Sequence, residues 1–154
     1  MSEAGLYFEA TIGDSPIEPN PRHNRPLDGV AVDTMVWLYS LEYGARDRKD
    51  GSAYFSPIRF RCPSGAQTPQ LWAAVMNGEN ISGRVHVFGF NINGGMEKTG
   101  EVIIENASAS AIHTISESSI DSTIAMYDVV ELVFDKMEIT DILNGKTVSW
   151  DGSL

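Results

Sequence analysis

Cysteine, histidine and basic residues are all scarce in this 154-residue chain, and each shortage excludes a class of function. Cys62 is the only cysteine, so an intramolecular disulfide is impossible and a cysteine-based metal cluster has no basis. It reads instead as a small buried hydrophobe at a strand end. The histidines His23, His86 and His113 lie far apart, with no H-E-x-x-H pair and no C-x-x-C. There is no G-x-S-x-G elbow, no Walker A loop and no G-x-G-x-x-G. Eleven lysines and arginines stand against 21 aspartates and glutamates, a formal net charge of −10. That balance argues against nucleic acid and against anionic membrane surfaces, both of which need a basic footprint. No apolar run approaches the roughly 18 residues needed to cross a bilayer. The opening MSEAGLYFEATIGD has neither a basic n-region nor an apolar h-region. The expectation is a chain made and folded in a cytoplasm, exported, if at all, by a route other than a Sec signal peptide.

What the chain does have is apolar alternation. At 42% hydrophobic it has enough apolar surface for a core, and its length suits one domain over residues 1–154. Leu6 to Ile12 reads as a first strand closed by Gly13-Asp14. A loop follows, with Pro16, Pro19, Pro21 and Pro26 in one short stretch. Thr34 to Tyr43 reads as a second strand, Gly44 to Ala53 as an exposed charged loop, and Ile58 to Cys62 as a third strand. Ile81 to Ile92 and Thr99 to Ala107 read as a hairpin around Asn93-Gly94-Gly95, with Ser108 to Ile115 extending it through a bulge. Tyr127 to Thr140 is expected as the longest strand, and Asn144-Gly145 as the turn into a last strand, Lys146 to Trp150. Seven or eight short strands and no internal repeat predict a mainly β fold, a two-sheet barrel or sandwich.

One segment is different. TPQLWAAVMNGEN predicts a short accessory helix over about 68–78, with Thr68 as N-cap, Pro69 at the first helical position and Gly78 past the end. Leu71 to Met76 holds no polar side chain, so this helix lacks the wet face of an ordinary surface helix. Leu71 and Val75 are expected to pack downward near Cys62, leaving Trp72 and Met76 together on a second face. That face is either covered by another molecule or sunk among loops of its own chain.

No catalytic constellation emerges. Glu101, Glu105, Asp135 and Glu138 are dispersed along strands and read as solvated faces rather than a glycosidase pair. Asn80-Ile81-Ser82 and Asn106-Ala107-Ser108 match the glycosylation tripeptide, a pattern that is common by chance. The reading is of a structural or binding protein, without catalysis, cofactor or metal.

The order of segments adds something more specific. A turn leads into a helix opened by Thr68-Pro69 and closed by Asn77-Gly78-Glu79. A strand then runs to Gly94-Gly95-Met96-Glu97, and another carries Ile103-Ile104-Glu105-Asn106-Ala107. FEATIGD (8–14), VWLYSLEYG (36–44) and YDVVELVFDKMEI (127–139) fit the same scheme. The ordered set resembles the Hcp (haemolysin-coregulated protein) family, the tube proteins of type VI secretion systems, over essentially the whole chain. Two segments depart from the family pattern: the proline-rich loop Ser15 to Val30, and the loop Gly44 to Ser56, charged rather than glycine-rich.

The resemblance implies six-subunit rings stacked into a hollow tube. It implies a contractile sheath and a VgrG-like spike as partners, and small effector proteins in the lumen. The subunit would be cytoplasmic while assembled and extracellular, or inside a target cell, after firing, with no membrane insertion. It makes Trp72 and Met76 candidates for the contact within a ring. It makes Arg46, Asp47, Arg48, Lys49 and Asp50 candidates for stacking between rings. A tail-tube protein of a phage or another contractile particle is the neighbouring reading, and a β-sandwich hydrolase or carbohydrate-binding module the more distant one.

Overall fold

The computed structural model describes residues 5–19, 34–47, 53–90, 92–118 and 124–152. In chain order the strands are β1 (Gly5–Ile12), β2 (Ser15–Pro16), β3 (Val36–Leu38), β4 (Ser40–Glu42), β5 (Ala45–Asp47), β6 (Ala53–Phe55) and β7 (Ile58–Pro63). After the helix α1 (Gln67–Asn77) come β8 (Asn80–Phe90), β9 (Met96–Ser118), β10 (Ile124–Val133), β11 (Lys136–Asp141) and β12 (Lys146–Asp151). The fold is mainly β with one short helix, as the alternation predicts.

Ten strands form one antiparallel sheet, in the order β2-β1-β8-β9-β10-β7-β4 along its main path. β3 pairs with β1, and β4 pairs with β7. The single segment Val36–Glu42, bent at Tyr39, thus links the two ends of the sheet and curls it into a barrel. Bending there, where one continuous strand was expected, lets each half find a different partner. Side-chain alternation fills the inside: Phe8, Ala10 and Ile12 from β1, Ile58, Phe60 and Cys62 from β7, Val130 and Leu132 from β10. Phe8 and Phe60 meet across the core with ring centroids 5.2 Å apart. Cys62 lies in this core, and burial, then the charge of Asp128, pushes its thiol pKa up to about 12, which leaves it inert as a nucleophile.

The longest strand is β9, at 23 residues, not the expected Tyr127 to Thr140. That segment breaks after Val133 and resumes at Lys136, giving β10 and β11. Both lie along the same edge of β9. Strict alternation over 23 residues would turn part of β9's apolar face outward, because the side-chain period is two. Of the three register slips along β9, two prevent this. Between Ile81↔Ala107 and Gly83↔Ile104 the register slips, and Asn106 there takes φ +51°, a left-handed conformation that asparagine tolerates. A second slip lies where Glu131 pairs Ala111 and Leu132 pairs Ala109. Each extra residue restores the apolar face to the core, so that Val102, Ile104, Ala107, Ala109 and Ile112 are all buried.

The predicted turns hold. Gly94 and Gly145 take positive φ at the two hairpins. Gly78 closes α1 in the left-handed conformation and donates its N–H to the Ala74 carbonyl. The start of α1 differs: the N-cap is Ala66, without a side-chain cap, so Thr68 is the second helical residue and Pro69 the third, not the first. The Thr68 hydroxyl is drawn to a buried carboxylate instead. The stretch expected as loop from Gly44 to Ala53 also differs at its ends, since β5 and β6 pair there as a separate two-stranded ribbon.

Candidate functional site

α1 packs mainly against β9, with a smaller contact to β1. Gln67, Leu71 and Ala74 face the barrel and are fully buried, with Val75 half-buried beside them. Trp72 and Met76 remain on the other side, 41% and 72% exposed. The helix therefore carries a bare apolar face where a soluble monomer would place polar side chains.

Beneath it sits a group that sequence reasoning missed. Asp128, in β10, is 0% exposed. Its Oδ1 accepts from Ser64 Oγ at 2.9 Å and Thr114 Oγ1 at 2.8 Å, and its Oδ2 accepts from Thr68 Oγ1 at 2.6 Å. Three hydroxyls thus solvate a carboxyl that burial strips of water. Trp72 joins the network, donating its indole N–H to Thr114 Oγ1 at 2.9 Å. A signal was present in the sequence: Asp128 shares the parity of Val130 and Leu132, which marks an inward-facing carboxylate. Nothing local indicated its partners, which lie up to 64 residues away along the chain. Gln67 is buried nearby and donates to the Pro63 carbonyl at 2.6 Å.

The second candidate lies elsewhere. The β5–β6 ribbon stands apart from the main sheet, and Ala45, Arg46 and Asp47 are all exposed. Its root is anchored by Phe55, packed 4.2 Å from Trp150 and 6.0 Å from Phe134 between ring centroids. The structure thus places Arg46 and Asp47 on a standing ribbon. Arg48, Lys49 and Asp50 lie outside the described residues.

The outer face of the barrel is charged but paired. Glu101 accepts from Arg84 Nη1 at 2.7 Å and from Lys98 Nζ at 2.6 Å. Burial pushes the Glu101 carboxyl up, but Lys98, through its hydrogen bond and charge, and Arg84 hold it below the usual carboxylate range. His86 stands between these groups and is buried. Its Nε2 is 3.6 Å from Glu9 Oε1, beyond hydrogen-bonding distance. Burial first, then the Lys98 charge, lowers its pKa, against the opposing pull of Glu9 and Glu101. The unfolded chain therefore binds the His86 proton more readily than the folded one, so stability falls as pH drops below about 6.5. The denaturation midpoint is expected to decline across that window, and His86→Gln to flatten the decline. An unchanged slope in the variant would assign the effect to other groups.

Among the described residues no set of three His, Cys, Asp or Glu is placed to hold a metal ion. The larger clefts are open. One of about 350 Å³ is lined by Glu42, Tyr43, Ser56 and Arg59, with Arg59 already paired to Glu131. Another of about 310 Å³ lies over β11 and β12. Neither brings together a nucleophile, a base and an orienting group. No helix among the described residues is long and apolar enough to cross a membrane.

No protein-family model matches the sequence, and no curated protein matches it. Solved structures do match. A crystal structure of an Hcp protein superposes with TM-score 0.81 at 19% identity, covering 99% of each chain. The secreted protein Hcp3 from Pseudomonas aeruginosa superposes with TM-score 0.79 at 14% identity, covering 97% of this chain and 98% of that one. An Hcp1 variant from E. coli EAEC 042 gives TM-score 0.76 at 14% identity, covering 96% and 99%. The chain thus has the Hcp fold from end to end, as the segment order implied.

Proposed function

We propose that this chain is the ring-forming subunit of the inner tube of a type VI secretion apparatus, a structural protein expelled with its spike rather than an enzyme. The observation that carries the reading is the match in fold over nearly the full length of several Hcp chains, with no large unmatched insertion to carry a separate activity. The chemistry is consistent with it: no catalytic constellation among the described residues, and a bare apolar face on the one helix.

The assembly follows from symmetry. A head-to-tail contact between identical subunits closes into a ring when its rotation divides a full turn. A second contact between ring faces repeats without closing and yields a tube. At −10 per chain, neighbouring subunits repel each other, though salt screens this beyond about 8 Å. Contact within the ring must therefore come from apolar burial, and Trp72 with Met76 is the helical surface that supplies it. The ring-to-ring contact falls to Arg46 and Asp47 of the ribbon together with Arg48, Lys49 and Asp50, which follow them in sequence. A polar contact of modest area suits rings that must separate after delivery. The contractile sheath, a VgrG-like spike and small effectors in the lumen are the partners this role requires.

Negative-stain microscopy of the purified protein tests the reading, with rings of six subunits as the expected image. A strictly monomeric species at high concentration would overturn it. Replacing Arg46, Arg48 and Lys49 together by alanine is expected to shorten or abolish stacks while single rings persist. Stacking equal to that of the parent would remove the ribbon from the contact.

A further inference from the structure

Trp72 has a feature unusual for a side chain with so much exposed surface: its polar end is fixed from inside the protein. The indole N–H is 2.9 Å from Thr114 Oγ1, and the same oxygen is 2.8 Å from Asp128 Oδ1. A hydroxyl has one proton to give and two lone pairs to receive with. An indole N–H can only donate, so Thr114 must accept from Trp72 and spend its own proton on Asp128. The chain runs in one direction, from Trp72 through Thr114 to Asp128.

Asp128 in turn cannot drift. Thr68 Oγ1 and Ser64 Oγ hold its two oxygens, and the Gly65 N–H donates to Thr68 Oγ1, directing the threonine proton to the carboxyl. The first turn of α1, the turn before it, β9 and β10 are tied at one buried point. The free end of that tie is the indole on the surface.

We propose that Thr114 and Asp128 are positioning residues for Trp72, holding its indole in the orientation that a neighbouring copy of this chain meets. The proposal rests on the reading of Trp72 and Met76 as the contact within a ring. A tryptophan pinned only by its Cβ samples several rotamers, and freezing one on association costs binding free energy. Here the monomer meets that cost once, on folding. Met126 is a further exposed apolar side chain on β10. It pairs with Ser116, the row next to Asp128 and Thr114 on the same side of the β9–β10 ribbon, and is half-exposed.

The test is Thr114→Val, which keeps the branched shape and removes the hydroxyl, beside Thr114→Ser, which keeps the hydroxyl. Two quantities are read. One is the concentration of half-assembly by analytical ultracentrifugation. The other is the indole ¹H–¹⁵N resonance of Trp72, assigned by its loss in Trp72→Phe. Thr114→Val is expected to raise the half-assembly concentration about three- to tenfold, the penalty of one side chain ordered on binding. It is also expected to shift the Trp72 resonance, with Thr114→Ser near the parent in both. Should the valine variant fail to fold, Thr114→Ala carries the same expectation. Parent-like assembly of the folded Thr114→Val variant, while Trp72→Ala fails to assemble, would overturn the positioning role and leave the contact intact. Weakened assembly with an unmoved Trp72 resonance would overturn it as well. Parent-like assembly of Trp72→Ala would overturn the contact itself, a separate result from the first.

Discussion

Trp72→Ala is expected to yield a folded monomer at concentrations where the parent chain forms rings. Within the monomer the change removes one hydrogen bond, worth about 1 kcal/mol, and some packing of a ring that is already 41% exposed. Thr114 keeps its bond to Asp128, so no buried group is orphaned. The loss in folding stability is therefore about 1–2 kcal/mol, small against the 5–15 kcal/mol typical of a domain. At a subunit contact the same truncation is far more damaging. Buried tryptophans are recurrent anchors of protein interfaces and commonly cost 2 kcal/mol or more each when removed. In a closed ring that cost recurs at every contact between copies. Light scattering with circular dichroism separates the outcomes. Folded monomer supports the contact, parent-like rings remove it, and unfolding would place Trp72 in the monomer's own core.

Gly83→Ala is expected to lower folding stability by about 3 kcal/mol or more. A Cβ built on Gly83 would lie 2.2 Å from the Glu9 carbonyl oxygen, 2.6 Å from the Ala10 Cβ and 2.7 Å from the Ala10 Cα. Two of these are backbone atoms of β1 and cannot rotate aside. Relief requires β1 to separate from β8 across a ladder that runs from Gly5↔Phe88 to Ile12↔Ile81. The glycine is needed here for close approach of two strands, next to the first bulge, rather than for a special φ. A urea midpoint equal to that of the parent would show that β1 and β8 do not meet in this register.

These two residues mark how far the sequence can be read. The helix was legible because its signals are local: Pro69 near the start, Gly78 at the end, and four-residue spacing between. That spacing alone put Trp72 and Met76 together on a second face, and the tertiary structure decided that this face is exposed rather than sunk among loops. The helix start was misplaced because Thr68 has the side chain of an N-cap, and only the buried Asp128 shows what its hydroxyl is used for. The strand Tyr127 to Thr140 was read as unbroken because Val130, Leu132 and Phe134 alternate on one face and Met137 and Ile139 continue the apolar character beyond them. The apolar positions change parity between Phe134 and Met137, which marks the break, but only the pairing of both halves with β9 shows where each of them lies. The burial of His86 comes from the strands on either side of it, β1 and β9.

By itself the sequence determined the class of fold, the turns, the helix with its bare face, and the order of segments that resembles an Hcp chain. Each of these depends on residues within a few positions of one another, where alternation, caps and turn glycines act directly on the backbone. Only the tertiary structure decided which strands meet. It closed the sheet through Val36–Glu42 and set the bulges of β9. It also brought Ser64, Thr68, Thr114 and Asp128 under Trp72. The physical reason is that side-chain period states which face a residue occupies, not what lies opposite. That partner is selected by long-range register, once the whole core has to be buried at the same time.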